Sequence, residues 1–380
     1  LIVIIVFSAA AMLLVVKGWV NTSLFLLFFV CVWQILKEPR TFFINRSSQF
    51  WVMVFCMLTP FMAELIAQIG RGQFALSSLD GPSRAILATG FFIWLSKKDC
   101  LALVHALSAG SAVGIVLVFL YLQIFPEYFW EHRAATHFVD PITLPCFTVA
   151  LLSIFVFTGF PGATERFNAL AKSVLTLMTL YVAIESYSRS AWIAGLVLAE
   201  VYILYSCRRS IKRQILAHAC LVILVLILFQ YSDVLRDRTL EALGGVIEFF
   251  SSGKGQASSF VQRLIMILID FELIRHSPFF GTPDGVMPSY EYLKSVIPAI
   301  DQEIYKIKVL AGSHSEFSAQ LVRKGVVMGT WAIWALFIYP IYIIIRELKT
   351  RTWPEPDLRV ALLGLVVSVM VSGLAIQVLN

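Results

Sequence analysis

Leu101 to Ile124 runs without a single charge, holding only one His and one Gln among apolar and small residues, and Ile215 to Tyr231 forms a similar block. Runs of about 17 to 25 such residues are long enough to cross the hydrocarbon core of a bilayer as helices. The rest of the chain agrees: 59% of its 380 residues are hydrophobic and 14% charged, too little polar surface to cover a soluble core of this size. No ten-residue alternation of an outer-membrane barrel is visible. The fold class that follows is all-α, a polytopic transmembrane helical bundle.

Eleven spans are predicted, at about 2–16, 20–36, 50–70, 83–95, 100–124, 141–160, 170–185, 190–207, 214–231, 318–345 and 358–378. With a cytoplasmic N-terminus, the cytoplasmic loops and flanks hold 15 basic residues, among them Lys97, Lys98, Arg208, Arg209, Lys212 and Arg213. The short loops and flanks of the other side hold five: Lys17, Arg71, Arg84, Arg133 and Arg189. That asymmetry follows the positive-inside rule and sets the orientation, so the net charge of +6 calls for no nucleic-acid partner. The chain starts at Leu1 without Met and stops at Asn380 within or just after an apolar run. A further helix, giving about 11–12 spans, is therefore expected.

One external loop, 232–317, is 86 residues long and too large for a connector. It divides the chain into spans one to nine (1–231), the loop itself, and spans ten and eleven (318–380). Two amphipathic helices are predicted within it. The second carries a stripe of Phe260, Leu264, Ile267, Phe271 and Ile274; the first, less regular, has Leu235, Leu243, Ile247 and Phe250. Such helices lie on a bilayer surface or cap a bundle. The segment Ser251 to Ser259 reads as a flexible joint between them. Cys31, Cys56, Cys100, Cys146, Cys207 and Cys220 form no CxxC or Cys/His cluster and read as small core hydrophobes.

Three polar constellations fall on the external side. Ser186-Tyr187-Ser188-Arg189-Ser190-Ala191-Trp192 occupies a tight turn between spans seven and eight. Its Arg either snorkels to lipid headgroups or clamps an anion with its fork of donors. Arg263, at the edge of the second amphipathic stripe, precedes His276-Ser277-Pro278-Phe279-Phe280-Gly281. It is either a solvated flank or faces a membrane-side cavity. Gly312-Ser313-His314-Ser315-Glu316-Phe317 opens span ten, and His314 is either a surface histidine or a general base titrating near neutrality.

In this order the three resemble the O-antigen ligase and polymerase superfamily: an SR-type turn, an Arg followed by a Pro-Leu-x-Gly-x-Gly-like segment, and a His-Ser leading into a span that carries Gly325 and Gly329. The resemblance covers about 120–345. Glu131-His132-Arg133-Ala134 followed by Asp140-Pro141 is similar to the family's basic loop before span six. Gly281-Thr282-Pro283-Asp284-Gly285 departs from the compact Gly-x-Gly, and Arg323-Lys324 stand where an acidic residue often precedes the glycine.

The resemblance implies a GT-C-like membrane glycosyltransferase of the bacterial inner membrane, with its active site on the periplasmic face and the large loop periplasmic. Its donor would be an O-antigen glycan on undecaprenyl pyrophosphate, and its acceptor a sugar of lipid A-core. Arg189 and Arg263 would bind the pyrophosphate and absorb its developing charge, Arg133 would help position it, and His314 would take the acceptor proton. The displacement would invert, with no cofactor and no metal: Asp301-Gln302-Glu303 comes closest to a DxD motif, and no His/carboxylate ligand spacing accompanies it. O-antigen polymerase and O-linking oligosaccharyltransferase are the nearest alternatives. A transporter or lipid flippase is the alternative of a different class. It would use midplane ionisable groups, but Glu64, His105, Glu200 and His218 read as isolated.

Overall fold

The computed structural model describes residues 1–44, 46–96, 101–125, 133–252, 259–283, 286–313, 315–350, 365–366 and 369–370. Among them the chain is helical throughout, with no strand. The helices are α1 (Ile2–Met12), α2 (Trp19–Lys37), α3 (Pro39–Phe43), α4 (Ser48–Arg71), α5 (Asp80–Leu95) and α6 (Leu101–Ile124). There follow α7 (Thr143–Thr158), α8 (Glu165–Glu185), α9 (Arg189–Ser206), α10 (Ile211–Tyr231) and α11 (Asp233–Ser252). The last are α12 (Ser259–His276), α13 (Tyr290–Val296), α14 (Gln302–Ala311), α15 (Glu316–Ile333) and α16 (Tyr339–Thr350).

Six helical segments are long and apolar enough to cross a membrane: α2, α4, α6, α8, α10 and the stretch Glu316–Arg346. Four further predicted spans coincide with α1, α5, α7 and α9, while 358–378 lies almost wholly outside the described residues. The protein is a multi-pass membrane protein. Segments 170–185 and 190–207 are separate helices, parted by a turn at Ser186–Ser188.

The chain forms two compact units. The first comprises Leu1–Leu58, Arg84–Cys220 and Phe337–Ser372. At its centre, α6 packs on α1 and α7. Gly110 and Gly114 bring the α1 backbone close, for a Cβ on Gly114 would stand 2.7 Å from the Ala10 carbonyl oxygen. Almost every residue of α7 from Leu144 to Phe157 is buried, as expected of a helix surrounded by others. By contrast α10 buries none of its residues. Cys31, Cys56 and Cys146 are buried, but Cys207 is only partly so and Cys220 is exposed on α10, which corrects the core reading for those two. Cys100 lies outside the described residues.

The second unit comprises Thr59–Ser83 and, among the described residues, those of Leu221–Leu336. Its core gathers around α12, where Val261, Ile265, Ile269 and Leu273 are buried against Leu293, Ile297, Ile300 and Ile304. This face is not the predicted one. Phe271 of the expected stripe is 62% exposed, and Leu264 and Ile267 are only partly buried. Apolar residues occur all round α12, so hydrophobicity alone does not choose a face. A buried ion pair on Asp270 does, as described below.

Candidate active site

The turn between α8 and α9 is wound tightly on backbone bonds. The Ser186 and Tyr187 amides donate to Val182 and Ile184 at 3.1 and 2.9 Å, and the Trp192 indole donates to the Ala183 carbonyl at 2.8 Å. Tyr187 carries φ 56°, a left-handed conformation that an L side chain adopts at a cost of roughly 1–2 kcal/mol. Ser186, Ser188 and Ser190 are buried and Arg189 half-buried at the first position of α9. Ser188 stands at the N-cap without capping, its Oγ buried and with no hydrogen-bond partner. The first-turn amides of α9 therefore keep their donors for something other than this side chain, next to a guanidinium. Such a helix start attracts anions.

Arg133 comes to the same turn. Its Nε donates to the Ser186 carbonyl at 2.9 Å, and the neighbouring Ala134 amide donates to Glu185 at 2.9 Å. Arg133 and Arg189 thus flank one turn of the first unit. Asp140, from the Asp-Pro pair, accepts the Ile142 and Thr143 amides at 2.8 and 3.0 Å and starts α7. Glu131 and His132 lie outside the described residues.

Arg263 lies half-buried near the start of α12 in the second unit. His314 lies outside the described residues, but its surroundings are firmly built. Asp270, 1% exposed, accepts the Lys308 ammonium and the Ser313 hydroxyl on Oδ1, the latter at 2.7 Å. Its Oδ2 accepts Ser318 at 2.7 Å. One carboxylate therefore anchors the residue just before His314 and the first turn of the helix just after it. Burial pushes the Lys308 ammonium below its ordinary pKa, with Asp270 pulling the other way.

The helix after His314 is broken. Gly325 has φ 75° and ψ 174° inside α15, and Gly329 packs back so that a Cβ there would lie 2.6 Å from the Gln320 carbonyl oxygen. The predicted span 318–345 is thus not one straight rod; its continuous part begins after Gly325. The Ser277–Thr282 segment explains the break. Thr282 donates to the Val322 carbonyl and Val326 to the Pro278 carbonyl, each at 2.7 Å, so this segment takes the place of helical bonds around the kink. Gly281, φ 70°, lies against the Arg323 backbone where no side chain fits. Asp284 and Gly285 lie outside the described residues.

Arg71, at the end of α4, ties the two chain segments of this junction. Its guanidinium donates to the Phe280 carbonyl at 2.6 Å and to the Arg323 carbonyl, and pairs with Glu64 at 3.6 Å. Glu64 also accepts Gln68 at 3.2 Å, and the buried Lys324 ammonium reaches the Pro60 carbonyl at 3.2 Å with Glu64 and Glu316 in electrostatic range. The Arg323-Lys324 departure is thereby accommodated by a neighbouring acid. Glu64 is not isolated, and neither are Glu200 and His218, which pair at 2.9 Å.

Sequence reading missed Arg71, Asp270, Lys308 and Ser318 as parts of this architecture. Glu64, Gln68 and Arg71 recur at steps of four and three on an otherwise apolar span, a signal that points to one polar helix face.

The break itself makes a prediction. Gly325→Ala is expected to lower stability by at least about 2 kcal/mol, since it adds left-handed strain and overlaps the Phe279 carbonyl. Gly195→Ala in α9, with open space around it, is the control and should be neutral or mildly stabilising. Thermal melts of both proteins in detergent decide; equal melting temperatures for Gly325→Ala and wild type would refute the account of the kink.

A family model described as O-antigen ligase matches residues 174–330, from within α8, through the Ser186–Ser188 turn, to beyond the break in α15. Among curated proteins, none matches the chain.

Proposed function

We propose that this chain, whose residues 174–330 match a family model described as O-antigen ligase, is a member of that family and transfers an O-antigen glycan from undecaprenyl pyrophosphate to a sugar of lipid A-core. The observation that carries the reading is the turn where Arg133 and Arg189 flank the uncapped start of α9. A pyrophosphate leaving group needs charge stabilisation more than protonation, and guanidinium forks beside helix amides supply it.

In the proposed step an acceptor hydroxyl attacks the anomeric carbon from the face opposite the pyrophosphate. The new C–O bond forms as the bond to the pyrophosphate breaks, so the configuration inverts. The pyrophosphate leaves with the electron pair, its charge taken up by Arg189 and Arg263, with Arg133 positioning it. His314 takes the hydroxyl proton. No metal enters the step. On this reading the protein sits in the bacterial inner membrane, with 232–317 as its periplasmic loop between bundle segments 1–231 and 318–380.

The test is release of undecaprenyl pyrophosphate by the protein in liposomes. Release that requires lipid A-core, survives EDTA and falls at least about a hundredfold in His314→Ala is expected. Release that proceeds without lipid A-core favours the polymerase instead. Activity abolished by EDTA and restored by magnesium ends the metal-free mechanism, and normal turnover in His314→Ala removes that residue as the base.

A further inference from the structure

Beside the Arg71 junction lies a cavity of about 190 Å³, bounded by the end of α4, the 73–78 loop, Thr282–Pro283 and Arg323. None of the residues assigned above to the transfer step lines it. Its volume is below the ~300–1,000 Å³ typical of drug-sized ligands, which fits one small ring rather than a chain. Glu64 and the hydroxyls of Ser77 and Thr282 offer acceptors, Arg71 and Arg323 offer donors, and the exposed Gln73 amide offers both, while the buried Gln68 amide is already engaged by Glu64 and by the Ala75 amide. Two polar atoms of residues that line it, Arg71 Nε and Thr282 Oγ1, are buried with no hydrogen-bond partner. Phe74, 62% exposed, presents an aromatic ring at the rim.

A ligand that matches must donate and accept around its whole edge while offering an apolar face to one ring. A pyranose does both: each hydroxyl is donor and acceptor, and its axial C–H groups form a face that stacks on an aromatic. A lipid chain would leave the polar wall unmet. A free phosphate would leave Phe74 unused and would meet the Glu64 carboxylate.

We propose that this cavity is a monosaccharide subsite, holding one ring of a substrate glycan at the Arg71 junction. The inference rests on the glycan-transfer reading for its ligand, which comes from either the O-antigen donor or the lipid A-core acceptor. Phe74 and Gln73 are exposed loop residues, so they probe the subsite without disturbing the Glu64–Arg71 clamp.

The experiment is saturation-transfer NMR on the full chain in detergent. The probes are two delipidated oligosaccharides, one from the lipid A-core and one O-antigen repeat. Wild type, Phe74→Ala and Gln73→Ala are compared, with thermal melts confirming equal folding. The expected result is saturation concentrated on one ring of one oligosaccharide, weakened about fivefold or more in both variants. The core or the repeat showing it identifies the source. Because binding is read without turnover, saturation that persists when transfer assays fail leaves the subsite standing and removes the transfer reading. Working transfer with no saturation of either oligosaccharide, or with saturation equal in wild type and both variants, overturns the subsite.

Discussion

Arg189→Ala is expected to lower glycan transfer by about 10²–10³-fold while leaving the melting temperature close to that of wild type. The guanidinium stands at the first position of α9, half-buried, on a turn whose own geometry is held by other groups: the Ser186 and Tyr187 amides, the Trp192 indole and Arg133. Removing Arg189 therefore removes charge from the proposed anion site while these other bonds remain to hold the turn. Arg189→Lys should recover only part of the rate, since a point charge replaces a planar fork that engages two phosphate oxygens together. The effect should fall on turnover more than on donor KM, because the charge it meets grows as the glycosidic bond breaks. A rate like that of wild type in Arg189→Ala would dismiss the turn as the pyrophosphate site.

Asp270→Ala carries the largest expected effect on stability. It strands the Lys308 ammonium, 2% exposed, and cuts the carboxylate's hydrogen bonds to Ser313 and Ser318. Breaking a buried pair from one side costs about 3–5 kcal/mol, because an uncompensated charge stays behind. The double variant Asp270→Leu with Lys308→Met removes both charges and should recover most of that stability. It does not restore the tethers on either side of His314, so its transfer rate should stay low while its melting temperature returns. Melting and transfer measured on the same two proteins separate these outcomes. If the double variant regains full transfer, Asp270 serves packing alone and does not position the His314 loop.

The spans were legible because a bilayer leaves the backbone no choice but long apolar helices, and Leu101–Ile124 and Ile215–Tyr231 announce themselves. The break at Gly325 was not. A glycine inside an apolar helix reads equally as a close-packing position, and only the Ser277–Thr282 segment, bonded to Val322 and Val326, turns it into a kink. The buried face of α12 was hidden for a related reason. Phe271 and Ile269 are both apolar, and what sends Ile269 inward is its neighbour Asp270, whose partner Lys308 stands 38 residues away. The polar turn proposed as the anion site was visible in the sequence, since Ser-Tyr-Ser-Arg-Ser interrupts two apolar runs. The Arg71 clamp was not, because its acceptors are backbone carbonyls 209 and 252 residues downstream and carry no sequence signature.

The most direct measurement is transfer itself in a purified system. Lipid-linked O-antigen serves as donor, lipid A-core lipopolysaccharide as acceptor, and wild type is run beside Arg189→Ala and His314→Ala. The account predicts that wild type converts the acceptor into O-antigen-bearing lipopolysaccharide and that both variants lose the conversion. Donor consumed into longer lipid-linked chains with the lipopolysaccharide untouched would contradict it in favour of polymerisation. No reaction from properly folded wild type would contradict it altogether and reopen transport.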